Sequence, residues 1–424
     1  MKNKFKSVIG NIIITLTFNI FRRKDKNACG RVVERVFHRL MSICGLSYFP
    51  MLSVELYKQK FNNVEISTIR NNRVGVEGNV VYSDELPKME LYDVDLPDIR
   101  LQKYHKVIVS GNSDVIIDKK NCCIVCDACY NMDPDLLFID GLLYRDRENI
   151  GVLRNNLKHY DKSLDSAIMI SGKFSNNYYH QLFENLIKLL LLEEIDIPIE
   201  VPILVDEVVY KKQSFQRILE ILTKNSKRPI ISIKPSQLLF VSTLYSFDHI
   251  NRIISHIKKV DVYKKGLVAF DEYYISKFRQ LLLSYKSKQV TPKRIFLTRE
   301  NANHRKFNEE EIFSILQPLG FEKIAPERYS FEQQMALFNN AEWIIGATGA
   351  AFTNIMFCNK GCNILSFRAV NKKTVFPEFS TLANINECHM VYYLATYSKQ
   401  SNTAHSDFYI DKVLFEKYIK SIII

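Results

Sequence analysis

From residue 166 onward, short apolar runs with β character alternate with helical stretches, and this alternation restricts the possible folds more than any other feature of the chain. Residues 167–171, 201–205, 230–233 and 238–244 read as strands, with helices over 175–194 and 214–223. A long helical stretch from about 267 to 284 separates them from a second series, which Pro292 opens. In that series 294–297, 321–324, 343–345 and 363–366 are strands, while 309–317 and 331–339 are helices. Such alternation implies parallel sheets covered by helices. The expected fold is therefore α/β, with two Rossmann-like domains facing across a cleft. Ahead of it, residues 107–109 and 115–117 form a hairpin around Gly111-Asn112-Ser113, preceded by an acidic, extended linker over 84–98.

Composition narrows the class. The chain has 424 residues, 47% hydrophobic and 25% charged, which is ordinary globular usage. No apolar run reaches the roughly 18 residues that a spanning helix needs. Nine Cys are too sparse for a disulfide scaffold, and there is no Asn-x-Ser/Thr acceptor, so a reducing cytosol is favoured. The net charge is +12, but residues 1–60 carry twelve Lys/Arg against three Asp/Glu, which accounts for nine of the twelve. The remainder is nearly neutral, an argument against a nucleic-acid-binding face.

Within that basic leader, residues 8–21 are apolar except for Asn11, Thr15, Thr17 and Asn19, and Asn11, Thr15 and Asn19 fall on one helical stripe. Arg31, Glu34, Arg35, His38 and Arg39 line one face of a second stretch, opposite Val32, Val33, Val36, Phe37 and Leu40. Two cationic amphipathic helices fit a segment lying on an anionic membrane surface; packing onto the protein body is the alternative. The division expected is a basic amphipathic N-terminal segment over 1–80, one Rossmann-like domain over 81–262 and a second over 263–424.

Four places can carry chemistry. At Gly346-Ala347-Thr348-Gly349-Ala350, a strand gives way to a helix start, where glycine permits close approach and free N–H groups favour an anion such as a diphosphate. Arg299 and Arg305 follow the strand 294–297, and ligands of open α/β sheets sit at strand carboxyl ends, so both guanidinium groups are expected beside that turn. His180 and Glu184 follow the strand and glycine turn ending at Gly172; four residues apart, they share a helix face, as a general base and its orienting carboxylate require. The fourth place is Cys122–Cys129, with Cys123, Cys126 and Cys129 spaced by three. Its β character turns Cys123 and Cys126 to opposite faces, which disfavours metal binding.

The stretch from Asn177 to about Ala383 resembles glycosyltransferase family 61, the group of bacterial capsular polysaccharide biosynthesis glycosyltransferases. Four pieces carry the resemblance, in the family's order: Asn177-Tyr-Tyr-His180 with its helix, Arg294–Arg299 followed by Arg305-Lys-Phe-Asn308-Glu309, Ser330-x-x-x-Gln334, and Gly346-Ala-Thr-Gly349-Ala350-Ala-Phe-Thr-Asn354. Two departures stand out. Thr348 replaces a frequent His, and Ser366 a frequent Glu that would contact ribose.

The resemblance implies a GT-B-like fold and an inverting, metal-independent transfer from a nucleotide-sugar, UDP-linked by expectation, to a glycan or lipid-linked acceptor in bacterial surface polysaccharide synthesis. No cofactor is implied, because the nucleotide-sugar is a co-substrate. Arg299, Arg305, Thr348, Gly349, Ala350 and Ser366 are the expected donor contacts. His180 with Glu184 is the expected base, Asp206 the second candidate and Asp248 the third. The enzyme would rest peripherally on the cytoplasmic face of the cell membrane. A catalytically silent, membrane-attached scaffold is the alternative of a different class.

Overall fold

A computed structural model describes residues 47–86, 88–126, 143–147, 150–153, 157, 159–235, 237–253, 266–369, 377–397 and 406–423. The basic leader up to residue 46 and Cys129 lie outside them. Two sheets dominate an α/β architecture. In the C-terminal sheet, Glu322–Ile324, Arg294–Leu297, Trp343–Ala347, Asn363–Ala369 and His389–Tyr397 lie side by side and all parallel. Phe408–Tyr409 closes the edge antiparallel.

The central strands carry apolar residues on both faces, as a sheet covered on both faces demands. Ile295, Leu297, Ile344 and Ile364 pack into one core, whereas Phe296, Ile345, Leu365 and Phe367 pack into another on the opposite face. The second face is sealed by Phe415 and Ile419 of helix Lys412–Ile422 and by Ile312 and Leu316 of helix Glu309–Leu316. Helix Phe331–Asn340, on the first face, starts at a capping box in which Ser330 and Gln333 satisfy each other's backbone N–H.

The N-terminal sheet is mixed and larger, with eleven strands. Its parallel part runs Ile230–Ile233, Ile203–Asp206, Lys162–Met169, Leu238–Phe247. Beyond Leu238–Phe247 the pairing turns antiparallel to Ile99–Ser110 and onward through Ile116–Asp118 and Cys123–Val125. Ser47–Leu52 pairs with Cys123–Val125, and Val64–Arg70 with Ile99–Ser110. Residues 47–70, placed with the leader on sequence grounds, thus supply strands of this sheet.

The C-terminal sheet and the parallel part of the N-terminal sheet each reverse their strand order once. The successors of Arg294–Leu297 lie on either side of it, and so do those of Lys162–Met169. Open α/β sheets take their ligands at the carboxyl end of such reversal points, which fixes where each half of a site belongs.

The expected helix over 175–194 exists but changes pitch. It is α-helical over Tyr178–His180, π-helical over Gln181–Asn185 and 3₁₀ over Leu186–Glu193. Gly172 makes room for this: a Cβ there would meet Asn185 Oδ1 at 2.2 Å and Asp114 Oδ1 at 2.6 Å. A π turn inside a helix is costly and recurs at functional sites. Here it buries Gln181, Glu184 and Asn185 together. The long helical stretch expected from 267 is a helix only over Glu272–Leu283, capped by Asp271, because Val268–Ala269 pairs with Arg252–Ile253 instead.

Candidate active site

Arg299 and Arg305 close over the turn that follows Trp343–Ala347. A Cβ on Gly349 would sit 2.7 Å from Arg299 Nη1 and 3.6 Å from Arg305 Nη1, so glycine is what lets both cations approach the backbone. Arg305 Nη1 donates to the Thr348 carbonyl at 2.7 Å. Arg299 Nε and Nη2 donate to the His304 carbonyl at 3.2 and 2.8 Å. Glu309, the first residue of its helix, accepts from the Arg299 backbone N–H at 2.8 Å and from the Thr298 hydroxyl, which holds the loop at the strand's end. Asn308 clasps Ile410 through both its amide oxygen and nitrogen.

Arg305 itself is left-handed at φ 58°, a conformation that costs a bulky residue energy and is kept only where neighbours enforce it. They do so here: Lys306 N–H donates to Asp407 Oδ1 at 2.8 Å, and the rings of Phe307 and Phe408 stack at 5.2 Å. Burial pushes the Arg305 guanidinium down to about 10, and Arg299 and Arg368 push it the same way, while Glu378 opposes them. Burial likewise lowers Arg299. Arg299 and Arg305 thus crowd one turn, with Arg368 near enough to act on Arg305, at a cost that a bound anion would relieve.

Thr348 is buried, and Ser366 is fully buried behind it; the Ser366 hydroxyl donates to Thr348 Oγ1 at 2.9 Å. Ala350 begins a 3₁₀ helix, Ala350–Phe357, directly after Gly349.

In the N-terminal half, the Glu184 carboxylate contacts His180 Nδ1. A ring proton at Nδ1, facing that carboxylate, leaves Nε2 as an acceptor nitrogen. Phe174 lies 5.0 Å from the imidazole, centroid to centroid. Burial pushes Glu184 up, but His180, Lys173 and His249 outweigh it and hold the carboxyl below its ordinary value.

The other two candidate carboxylates are engaged in the fold. Asp206 accepts from Ser171 Oγ at 2.7 Å, Gly172 N–H at 3.2 Å and the Asn112 N–H, so it clasps two loops; burial raises its pKa against those bonds. Asp248 accepts from Arg100 Nε at 2.6 Å and Gln102 Nε2 at 2.6 Å. Of the cysteines, Cys122 is exposed and Cys123 and Cys126 are buried. Among the described residues, no group of three or more His, Cys, Asp or Glu is arranged to hold a metal.

Three residues of the site escaped the sequence reading. Tyr178 donates to Asn354 Oδ1 at 2.8 Å and thereby joins the His180 helix to the Gly349 turn. Arg368 lies two residues beyond Ser366 on the same strand, so period-two alternation places both on one face and could have flagged it. Glu378 opens helix Glu378–Ile385; burial raises its carboxyl while Arg368, His180 and Arg305 pull it back, which puts it between the two halves. Nothing in its local sequence marks it.

A basic turn at one sheet's reversal point and an imidazole–carboxylate pair at the other's are tied by a hydrogen bond; the match to a family model over this part of the chain makes it a glycosyltransferase, with a sugar donor and an acceptor as substrates. The family whose model matches is Glycosyltransferase 61, over residues 178–365, a span that begins at Tyr178 and takes in His180, Arg299, Arg305 and Gly349. No curated protein matches the chain.

The pH dependence of stability follows from Glu184. Its folded-state pKa lies below the unfolded one, so its stabilising contribution is complete above the ordinary glutamate value and fades as pH falls through the folded value. Urea denaturation of wild type and Glu184→Gln is expected to show the variant less stable at neutral pH, with a gap that narrows in acid.

Proposed function

We propose that the protein is an inverting, metal-independent glycosyltransferase of GT-B-like organisation that draws on a nucleotide-sugar, UDP-linked by preference. The C-terminal sheet holds the donor and the N-terminal sheet the acceptor. One observation carries this reading: Arg299 and Arg305 both converge on Gly349 at the carboxyl end of a sheet-order reversal. With no metal to neutralise a departing diphosphate, its charge needs fixed donors in a dry site. Arg299, Arg305 and the N–H groups of Gly349 and Ala350 are suited to that, and Arg368 adds a third cation. Because Ser366 donates to Thr348, the Thr348 O–H is left to donate to a phosphate oxygen.

The transfer is then a single displacement. The acceptor hydroxyl attacks the anomeric carbon from the face opposite the diphosphate. As the new C–O bond forms, the old one breaks and its electron pair leaves with the diphosphate. The hydroxyl proton passes to His180 Nε2, and Glu184 stabilises the imidazolium that results. His180 is preferred to Asp206 and Asp248 because those carboxylates already accept several hydrogen bonds each. The acceptor would be a glycan or lipid-linked saccharide of bacterial surface polysaccharide synthesis. The basic leader would hold the enzyme peripherally on the inner face of the membrane.

Replacing Arg299 or Arg305 by Ala is expected to weaken UDP binding by about 1.5 kcal/mol or more, typical for a charged hydrogen bond; unchanged calorimetric affinity in both variants would remove the donor assignment. His180→Ala should lower kcat by roughly 10²–10⁴, the usual worth of a general base, and leave UDP affinity intact. For the leader, flotation with anionic liposomes should lose the protein once residues 1–45 are deleted; equal flotation would dismiss the membrane role.

A further inference from the structure

Three segments of the N-terminal sheet meet at Asp118. Its buried carboxylate accepts from the Tyr57 hydroxyl at 2.6 Å, from Asn63 Nδ2 at 3.2 Å and from Asn121 Nδ2 at 2.8 Å, and Asn63 Nδ2 also donates to the His105 carbonyl at 2.8 Å. Flanking these contacts are Lys58, Lys60, Lys106, Lys119 and Lys120, all exposed. Of the exposed acids on the same segments, Glu55 is held by Arg100, and Glu65 by Lys103 and His105. Among the described residues none of the five lysines is ion-paired. Five ammonium groups against the one buried carboxylate give the patch a surplus of positive charge.

Apolar surface lies in the same patch. Helix Val54–Phe61 buries Val54 and Tyr57 and turns Leu56 and Phe61 outward, 41% and 36% exposed. Lysines interleaved with exposed apolar side chains suit an interface where headgroups give way to acyl chains; a soluble polyanion would need the charges alone. The basic leader arrives at the same end of the sheet. Residues 1–46 carry ten Lys/Arg against two Asp/Glu. They lead into Ser47–Leu52, which runs parallel to Cys123–Val125 with Met51 opposite Ile124. Cys123 pairs with Asp118, so the amino end of Ser47–Leu52 points toward the end of Cys123–Val125 where the lysines stand.

We propose that this patch of the folded body docks on an anionic phospholipid surface, with its ammonium groups among the headgroups and Leu56 and Phe61 at the acyl boundary. The proposal extends the membrane role from the leader to the body, and rests on that role for the nature of its partner. Val54, at the other end of the same helix, lines a cavity of about 390 Å³ at the carboxyl ends of Lys162–Met169 and Leu238–Phe247. At 1.5 Å per residue the helix is about 12 Å long, so docking brings that cavity within reach of an acceptor carried on a lipid.

The test sediments the full-length protein with vesicles of equal parts phosphatidylglycerol and phosphatidylcholine, at the salt concentration where half of the wild type is bound. Lys58→Gln/Lys60→Gln/Lys119→Gln/Lys120→Gln should bind at least tenfold more weakly, since each lysine near an anionic surface is worth about a fivefold change. A control with the same loss of charge, Lys227→Gln/Lys288→Gln/Lys412→Gln/Lys417→Gln, removes lysines exposed elsewhere and should stay within about twofold of wild type, because salt screens distant charges. Leu56→Ser/Phe61→Ser keeps the charge and should weaken vesicle binding several-fold while leaving affinity for soluble polyphosphate unchanged. Thermal unfolding is followed for every variant, and Leu56→Ser alone replaces the serine pair if the pair unfolds early. Equal losses in patch and control variants, or undiminished vesicle binding by the patch variant, would overturn the proposal. Undiminished vesicle binding by the serine variant would make the patch a soluble-polyanion site and overturn it as well. If deleting residues 1–45 abolishes binding and the patch variant binds like wild type, the leader keeps its role and the patch loses its own; wild type that ignores the vesicles altogether removes both.

Discussion

The approach of two guanidinium groups to the bare backbone of Gly349 is the contact on which the rest of the site depends. Like charges repel, and burial removes the water that would soften the repulsion. Arg299 and Arg305 are nonetheless brought to one turn, and the protein commits several interactions to keeping them there. Glu309 fixes the strand end before Arg299, Asp407 and the Phe307–Phe408 stack fix the strained loop around Arg305, and the Thr348 carbonyl takes its Nη1. Strain and crowded charge held in place by the surroundings are the mark of a site prepared for a ligand that the free protein lacks.

That turn does not act alone. Asn354, eight residues after Gly346, accepts from Tyr178 and donates to Gln334 Oε1 at 3.2 Å, and Gln334 in turn reaches the Tyr329 carbonyl at 3.1 Å. A polar chain so buried must be fully satisfied or it destabilises the core. It couples the helix of His180 to the sheet of Arg299, so the spacing between the imidazole and the two guanidinium groups is set by hydrogen bonds between the two halves. The Tyr179 and Phe379 rings, 5.8 Å apart, reinforce the same junction beside Glu378.

The central strands of the C-terminal sheet were legible in the sequence because Arg294–Leu297, Trp343–Ala347 and Asn363–Ala369 each carry a short apolar run bounded by a turn. Arg294–Leu297 was delimited to the residue, and the strand before the Gly349 turn differed only by its last two residues. The pairing of His180 with Glu184 and the convergence of the arginines on the turn followed from spacing and strand polarity alone. Which strands residues 47–70 join was not legible, since they pair with partners up to about a hundred positions away, such as Ile150–Leu153, and long-range pairing leaves no local period. The π turn at Gln181–Asn185 depends on Gly172 making way for Asn185, a tertiary contact. Asp206 sits at a strand's carboxyl end, as a base could; only the coordinates place three loop donors around it.

The most direct test adds one methyl group. In Gly349→Ala the new Cβ would meet the mobile tip of Arg299 at 2.7 Å, so the side chain must yield while the backbone can stay. Titrating UDP into wild type and this variant, with thermal unfolding followed alongside, separates the two effects. The account predicts nearly unchanged unfolding and an affinity for UDP reduced about tenfold, the worth of one displaced charge-assisted contact. Undiminished UDP affinity in a folded Gly349→Ala protein would contradict it.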